Sequence, residues 1–336
     1  MNYYERYQIK LTPDDIIITC GGSEAVLFAF MSCLNPGDEI IVPEPAYANY
    51  MSFAISAGAV IRTVTTTIEE GFCLPKVEKF EELINERTKA ILICNPNNPT
   101  GYLYTQREMN QIRDLVKKYN LYLFSDEVYR EFIYTGSPCI SAMHLEGIEQ
   151  NVILIDSVSK RYSECGIRIG ALITKNEAVR KTVMKFCQAR LSPPLIGQIV
   201  AEASIEGTEA YSREEYLERR KTLIDGVNRI PGCYTPIPMG AFYMVAKLPV
   251  DDAEKFCAWC LSDFRYKDET TETLKPSGTK GLPVTGETIM MAPASGFYTT
   301  PDLGKNQVRL AYVLCKEDIQ RALMILEKAI EEYNKI

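Results

Sequence analysis

The chain has 336 residues, 46% hydrophobic and 24% charged, an ordinary globular composition with length enough for about two domains. A net charge of −7 argues against a nucleic-acid surface, because gripping phosphates takes clustered Lys and Arg. The opening MNYYERYQIK does not read as a signal peptide, and no apolar run is long enough to cross a bilayer as a helix. The expectation is a cytoplasmic protein with no membrane partner.

Seven short, β-branched runs follow in order: DIIIT (15–19), EIIVP (39–43), AVIRTVT (59–65), KAILIC (89–94), LYLFSD (121–126), NVILID (151–156) and GALIT (170–174). Helix-like stretches such as SEAVLFAFMSCL, YANYMSFAISAG and QREMNQIRDLVKKYN fill most intervals. This alternation predicts an α/β fold, a largely parallel sheet with helices on both faces. The interval from 156 to 170 has no room for a helical crossover, so the seventh strand is predicted to lie antiparallel to its neighbour.

After residue 175 the texture changes. Two helical stretches flank a Pro-Pro break at 193–194, and SREEYLERRKTLIDGVNRI reads as a long charged helix. A turn with strands is expected over 231–249, a helix over DAEKFCAWCLSDF, and a polar, Gly/Pro-punctuated loop over 266–288. NQVRLAYVL reads as a strand, and a closing amphipathic helix begins at 316. We expect a large α/β domain with a seven-stranded sheet over 1–225 and a smaller α+β domain over 226–336.

Eleven cysteines, odd in number and scattered, read as reduced thiols in apolar surroundings rather than a disulfide frame. The pair Cys257 and Cys260 sits in a helical pattern with no second pair, so core packing is expected and no metal site. The one histidine, His144, falls in a polar stretch and reads as a surface residue. A single histidine and no G-x-S-x-G elbow exclude multi-histidine metal centres and the usual serine hydrolases.

Ligands of such sheets sit at the carboxyl ends of the strands. There the first strand runs into Gly21, Gly22 and Ser23, a turn offering free N–H groups at a helix start. The fourth ends in NPNNPTG (95–101), a loop rich in amides. The fifth ends in SDEVYREF, placing Asp126 and Tyr129 just past the sheet. The sixth ends in DSVSK, with Lys160 beside it and Arg168 eight residues on. A lysine at the tip of a central strand is costly to desolvate unless it is paired or chemically employed.

GGSEA, NPNNPTG, SDEVYREF and SVSKRYSECGIRIG, in this order and separation, resemble the signature segments of fold-type I aminotransferases. This is the aspartate aminotransferase family, class I/II, which uses pyridoxal 5′-phosphate (PLP). The resemblance spans roughly 15–325 and implies the PLP-dependent transferase fold. It implies a homodimer acting in amino-acid metabolism, with an L-amino acid and a 2-oxo acid as substrates. Lys160 would hold the cofactor as an imine and then move protons, which arginine cannot do. Asp126 would hold the ring nitrogen protonated, and Asn98 and Tyr129 would donate to the ring oxygen. Gly22, Ser23, Ser157, Ser159 and Arg168 would cradle the phosphate, and Tyr47 would stack on the ring. Arg309, in the middle of an apolar strand, would grip the substrate α-carboxylate as a fork, with Asn98 beside it. Arg190 is a candidate for a distal carboxylate. Relative to the family's pattern, the segments that form an N-terminal arm and supply a partner tyrosine to the phosphate have no counterpart in this sequence, and Tyr3 and Tyr4 do not stand in for that tyrosine. Two other readings stay open at this point. One is a β-lyase or decarboxylase on the same scaffold; the other is a PLP-binding protein without turnover. A dinucleotide enzyme is disfavoured, because the first turn lacks the glycine fingerprint.

Overall fold

The computed structural model describes residues 1–136, 139–206, 212–268 and 286–336. Most of the loop expected over 266–288 therefore lies outside the described residues. The chain divides into two compact units, Met1–Arg213 with Pro238–Ala241, and Glu214–Ile237 with Phe242–Ile336. The boundary expected at 225 falls inside the helix Arg213–Val227. That helix lies against the closing helix Lys316–Tyr333, so close that a Cβ on Gly226 would sit 2.2 Å from Leu323 Cδ1.

The first unit is built on β1 (Ile16–Thr19), β2 (Glu39–Glu44), β3 (Val60–Thr65), β4 (Thr88–Cys94), β5 (Tyr122–Asp126), β6 (Val152–Ser157) and β7 (Gly170–Ile173). Their order across the sheet is β1-β7-β6-β5-β4-β2-β3. The strands from β2 to β6 pair in parallel, while β7 runs antiparallel to both β6 and β1, as the short 156–170 interval requires. Both faces are covered, which is why these strands read as unbroken apolar runs rather than alternating ones.

The helix Gln106–Tyr119 shows how sequence makes one of the covering layers. Thr105 and Glu108 form a capping box, worth on the order of 1 kcal/mol, and Asn120 ends the helix in the left-handed region. Its buried residues Met109, Ile112, Leu115 and Val116 recur at helical spacing and pack on Ile91, Ile93 and Leu123 of the sheet. The helix Gly22–Cys33 is apolar nearly all round because it lies between the sheet and the helices Asn49–Ser56 and Glu177–Arg190.

The second unit carries a three-stranded antiparallel sheet, β8 (Tyr243–Lys247), β9 (Ala292–Pro293) and β10 (Gln307–Ala311), in the order β8-β10-β9. The stretch 231–249 yields one strand, β8; its first half makes only isolated bridges at Tyr234 and Gly240. Cys257 and Cys260 are buried in the helix Ala253–Ser262, as core packing requires. The wider picture of buried thiols needs correction. All eleven cysteines are free, but only Cys94, Cys139, Cys257 and Cys260 are buried, and Cys165 and Cys315 are exposed.

Candidate active site

The parallel strands bring β4, β5 and β6 to a common carboxyl edge, and the first unit's candidate residues gather there. The loop after β4 is held by its own amides. Asn95 Oδ1 accepts from the Tyr104 N–H (3.1 Å) and Asn97 Oδ1 from the Thr100 hydroxyl (2.8 Å). With these two amides committed to the loop, Asn98 Nδ2 reaches toward the Tyr129 hydroxyl at 3.5 Å. Both Asn98 and Tyr129 are buried.

Asp126 ends β5 as a buried carboxylate. Tyr50 OH donates to Oδ2 at 2.6 Å and the Val128 N–H to Oδ1 at 3.3 Å. Burial pushes its pKa up to about 6 despite those two donors, with the charges of Asp156 and Glu127 adding to the rise. A carboxylate in this state favours a cation or a proton. Tyr50 is 2% exposed, and its own pKa is raised by burial and then by Asp126, so it remains the donor. Nothing in the sequence marks Tyr50 beyond its position three residues after Tyr47 in PEPAYANY (43–50).

Lys160 lies in the one-turn helix Val158–Arg161 that follows β6. It is half-buried, and its Nζ sits 5.8 Å from the centre of the Tyr129 ring. Ser157 caps that turn: its Oγ accepts from the Ser159 N–H (3.1 Å) and donates to Ser159 Oγ (2.9 Å).

The next corner is built for an anion. Gly21 has φ +80°, and a Cβ there would fall 2.2 Å from Arg168 Nη2, so the guanidinium lies directly on the turn. Gly22 opens the helix Gly22–Cys33, and a Cβ on it would touch the Ser157 Cβ at 3.7 Å. Ser23 stands exposed in the first helical turn. Arg168 is exposed, itself in the left-handed region at φ +59°, and donates to the Cys165 carbonyl at 2.7 Å. Gly170 makes this packing feasible, because a Cβ there would lie 2.5 Å from the Gly21 carbonyl carbon and 2.7 Å from the Gly22 nitrogen. Free helix N–H groups, a glycine cradle and a guanidinium together suit a phosphate.

Tyr47 joins the group through Tyr50, the two rings meeting edge-on at 5.4 Å, and its hydroxyl accepts from Asn49 Nδ2 at 2.8 Å. Arg309 belongs to the second unit, on β10, with its guanidinium 4.5 Å from the Tyr243 ring centre and 4.9 Å from that of Phe297. Arg190 is engaged otherwise than expected. Its Nε pairs with Glu24 (3.1 Å), and its amino groups bond the Leu191 and Ile18 carbonyls. His144 is exposed in a short turn, its Nε2 2.8 Å from the Tyr7 carbonyl. Tyr3 and Tyr4 are buried, bonded to Glu131 and Asp156. Among the described residues, no group of three or more His, Cys, Asp or Glu could hold a metal ion.

The residues therefore fit an aromatic, phosphorylated aldehyde: a cation-seeking carboxylate, a Tyr–Asn donor pair, a lysine and an anion cradle, all within the first unit. Similarity to known proteins points the same way. The profile of the family described as aminotransferase class I and II matches residues 1–266. An aspartate aminotransferase of Thermotoga maritima is 34% identical over 261 residues, covering 77% of this chain and 68% of the relative. One from Pyrococcus horikoshii is 30% identical over 98% of this chain and 79% of its own length. The crystal structure of the Thermotoga maritima aspartate aminotransferase superposes with a TM-score of 0.84 at 28% identity, over 98% of this chain and 80% of that one.

Proposed function

Because this chain belongs to the class I and II aminotransferases and is a PLP-dependent enzyme of that family, we propose that Lys160 is the cofactor-holding lysine and that an aspartate-like L-amino acid is the donor, with 2-oxoglutarate as acceptor. When bound, PLP supplies an aldehyde that takes up an amino group and a ring that draws electrons from the neighbouring carbon. Lys160 Nζ moves the proton on and off the substrate α-carbon. Asp126 keeps a proton on the ring nitrogen, and its raised pKa in the absence of a cation fits that role. Tyr129 and Asn98 donate to the ring oxygen, Tyr47 stacks on the ring, and Gly22, Ser23, Ser157, Ser159 and Arg168 hold the phosphate. Arg309 is assigned the substrate α-carboxylate.

The observation that carries this reading is the approach of Lys160 Nζ to Tyr129, whose hydroxyl Asn98 meets in turn. A homodimer belongs to the same proposal, supported by the exposed apolar residues Leu191, Leu195, Ile196 and Ile199. A cytoplasmic setting agrees with eleven free cysteines.

The test is the visible spectrum of the protein with PLP, compared with Lys160→Ala. The expected result is an imine absorption band in the parent that shifts when aspartate is added, and loss of that imine band and of amino transfer in the variant. A variant that keeps the parent's band would overturn the assignment of Lys160. Release of ammonia and pyruvate from cystathionine without an acceptor would overturn transamination in favour of β-elimination.

A further inference from the structure

Asp126, Tyr129 and Lys160 are each followed directly by a buried charged residue: Glu127, Arg130 and Arg161. These three followers meet in one network centred on Asp156. Glu127 Oε2 accepts from Arg130 Nη2 (2.7 Å), while its Oε1 accepts from the Ser141 hydroxyl (3.0 Å) and the Ala142 N–H (2.8 Å). Arg130 Nη1 lies 3.6 Å from Asp156 Oδ2, and Arg161 Nη2 lies 2.5 Å from Asp156 Oδ1. Tyr4 donates to Oδ2, and the Arg161 guanidinium lies 3.9 Å from the Tyr3 ring centre. The four charges balance, and the most exposed of them, Arg161, is only 7% accessible.

A buried, charge-balanced network of this kind adds little stability over apolar side chains of equal volume. What it supplies is a fixed geometry. Arg161 Nε and Arg130 Nη1 have no hydrogen-bond partner, so each guanidinium depends on its carboxylates for position. Turning the backbone at Lys160 would pull Arg161 off Asp156, the carboxylate it is paired with. Moving Tyr129 would draw Arg130 away from Glu127, its hydrogen-bonded carboxylate, and from Asp156 beyond it. We propose that Asp156, acting through Arg161 and Arg130, is a positioning residue that fixes the separation of Lys160 and Tyr129 for the reaction. Burial alone would raise the Asp156 pKa, but Arg161 and Arg130 outweigh it and hold the group below its ordinary value, so the anchor is ionised throughout the working range.

This rests on the assignment of Lys160 above, and the experiment separates the two. Two charge-balanced variants are used, because removing one charge risks the fold. Asp156→Asn/Arg161→Gln cuts the tether to Lys160, and Glu127→Gln/Arg130→Gln cuts the tether to Tyr129. For whichever folds, kcat is expected to fall about tenfold, with KM for aspartate and the affinity for PLP within threefold of the parent. The visible circular dichroism per bound PLP, which reports how the cofactor is held, is expected to drop below half. Arg161→Lys, which keeps the ion pair, should return kcat to within threefold of the parent. Unchanged kcat and unchanged visible dichroism in a folded variant would overturn the proposal, as would a loss confined to PLP affinity. Lys160→Ala, run alongside, decides the earlier assignment independently: if it keeps the band, the site reading fails rather than the network.

Discussion

Two aspartates stand near the ends of neighbouring strands, Asp126 on β5 and Asp156 on β6, and both are buried. Their chemistry is opposite. Asp156 meets two arginines and is held below its ordinary pKa, whereas Asp126 meets a tyrosine hydroxyl and a backbone N–H and is pushed up to about 6. Burial is the same penalty in both cases, so the neighbours decide the outcome. Asp156 has its counter-ions built in and serves the frame. Asp126 has no counter-ion among the contacts the described residues make with it, and the proposed function gives it the cofactor's ring nitrogen.

The contrast can be broken most forcefully at Asp126. Asp126→Asn removes the carboxylate proposed to face the ring nitrogen, and losing a buried ionic partner costs roughly 3–5 kcal/mol. Applied to the transition state, that is a fall of about 10²- to 10⁴-fold in kcat/KM for transamination. The variant should fold normally, and a loss under tenfold would remove Asp126 from the reaction. At Asp156 the expected effect is on the fold. Asp156→Ala leaves two buried guanidinium groups short of a carboxylate and should cost about 3–5 kcal/mol in denaturant unfolding. A cost under 1 kcal/mol would mean that water reaches the network.

The smallest effect is in pH dependence, and there the two residues carry opposite signs. In the cofactor-free protein the folded state binds a proton at Asp126 more tightly than the unfolded chain does. Its stabilising effect is therefore complete below the ordinary value of 3.8 and is lost as pH rises through about 6. The change is on the order of 2–3 kcal/mol. Asp156 contributes above its ordinary value of 3.8 and loses that contribution as pH falls below it. Unfolding of the cofactor-free parent and of Asp126→Asn, compared at several pH values, should diverge between pH 4 and 7, the parent alone gaining stability on acidification. Parallel curves would show that Asp126 is not raised.

Much of the fold could be read from local pattern. Apolar runs of strand length separated by helix-period stretches dictate an α/β sheet, and the short interval before β7 dictates its direction. The family was legible through the segments GGSEA, NPNNPTG, SDEVYREF and SVSKRYSECGIRIG, and the profile match bears it out, whereas residue types at the strand ends alone left their roles open. Arg190 shows the limit of that reasoning. Its residue type suited a carboxylate ligand, but its pairing with Glu24, 166 residues away in sequence, was not legible.

Local sequence is enough to set which segments become strands and helices and which side chains follow the strand ends, since both depend on periodicity and on residues near one another along the chain. Packing of distant elements is what brings the Tyr50 hydroxyl to Asp126 across 76 residues. It likewise seats Gly170 under the Gly21–Gly22 turn and closes Asp156 on Arg130 and Arg161. Those contacts depend on the strand order β1-β7-β6-β5-β4-β2-β3. Strand order is set by how whole layers pack, and no local stretch of residues encodes it.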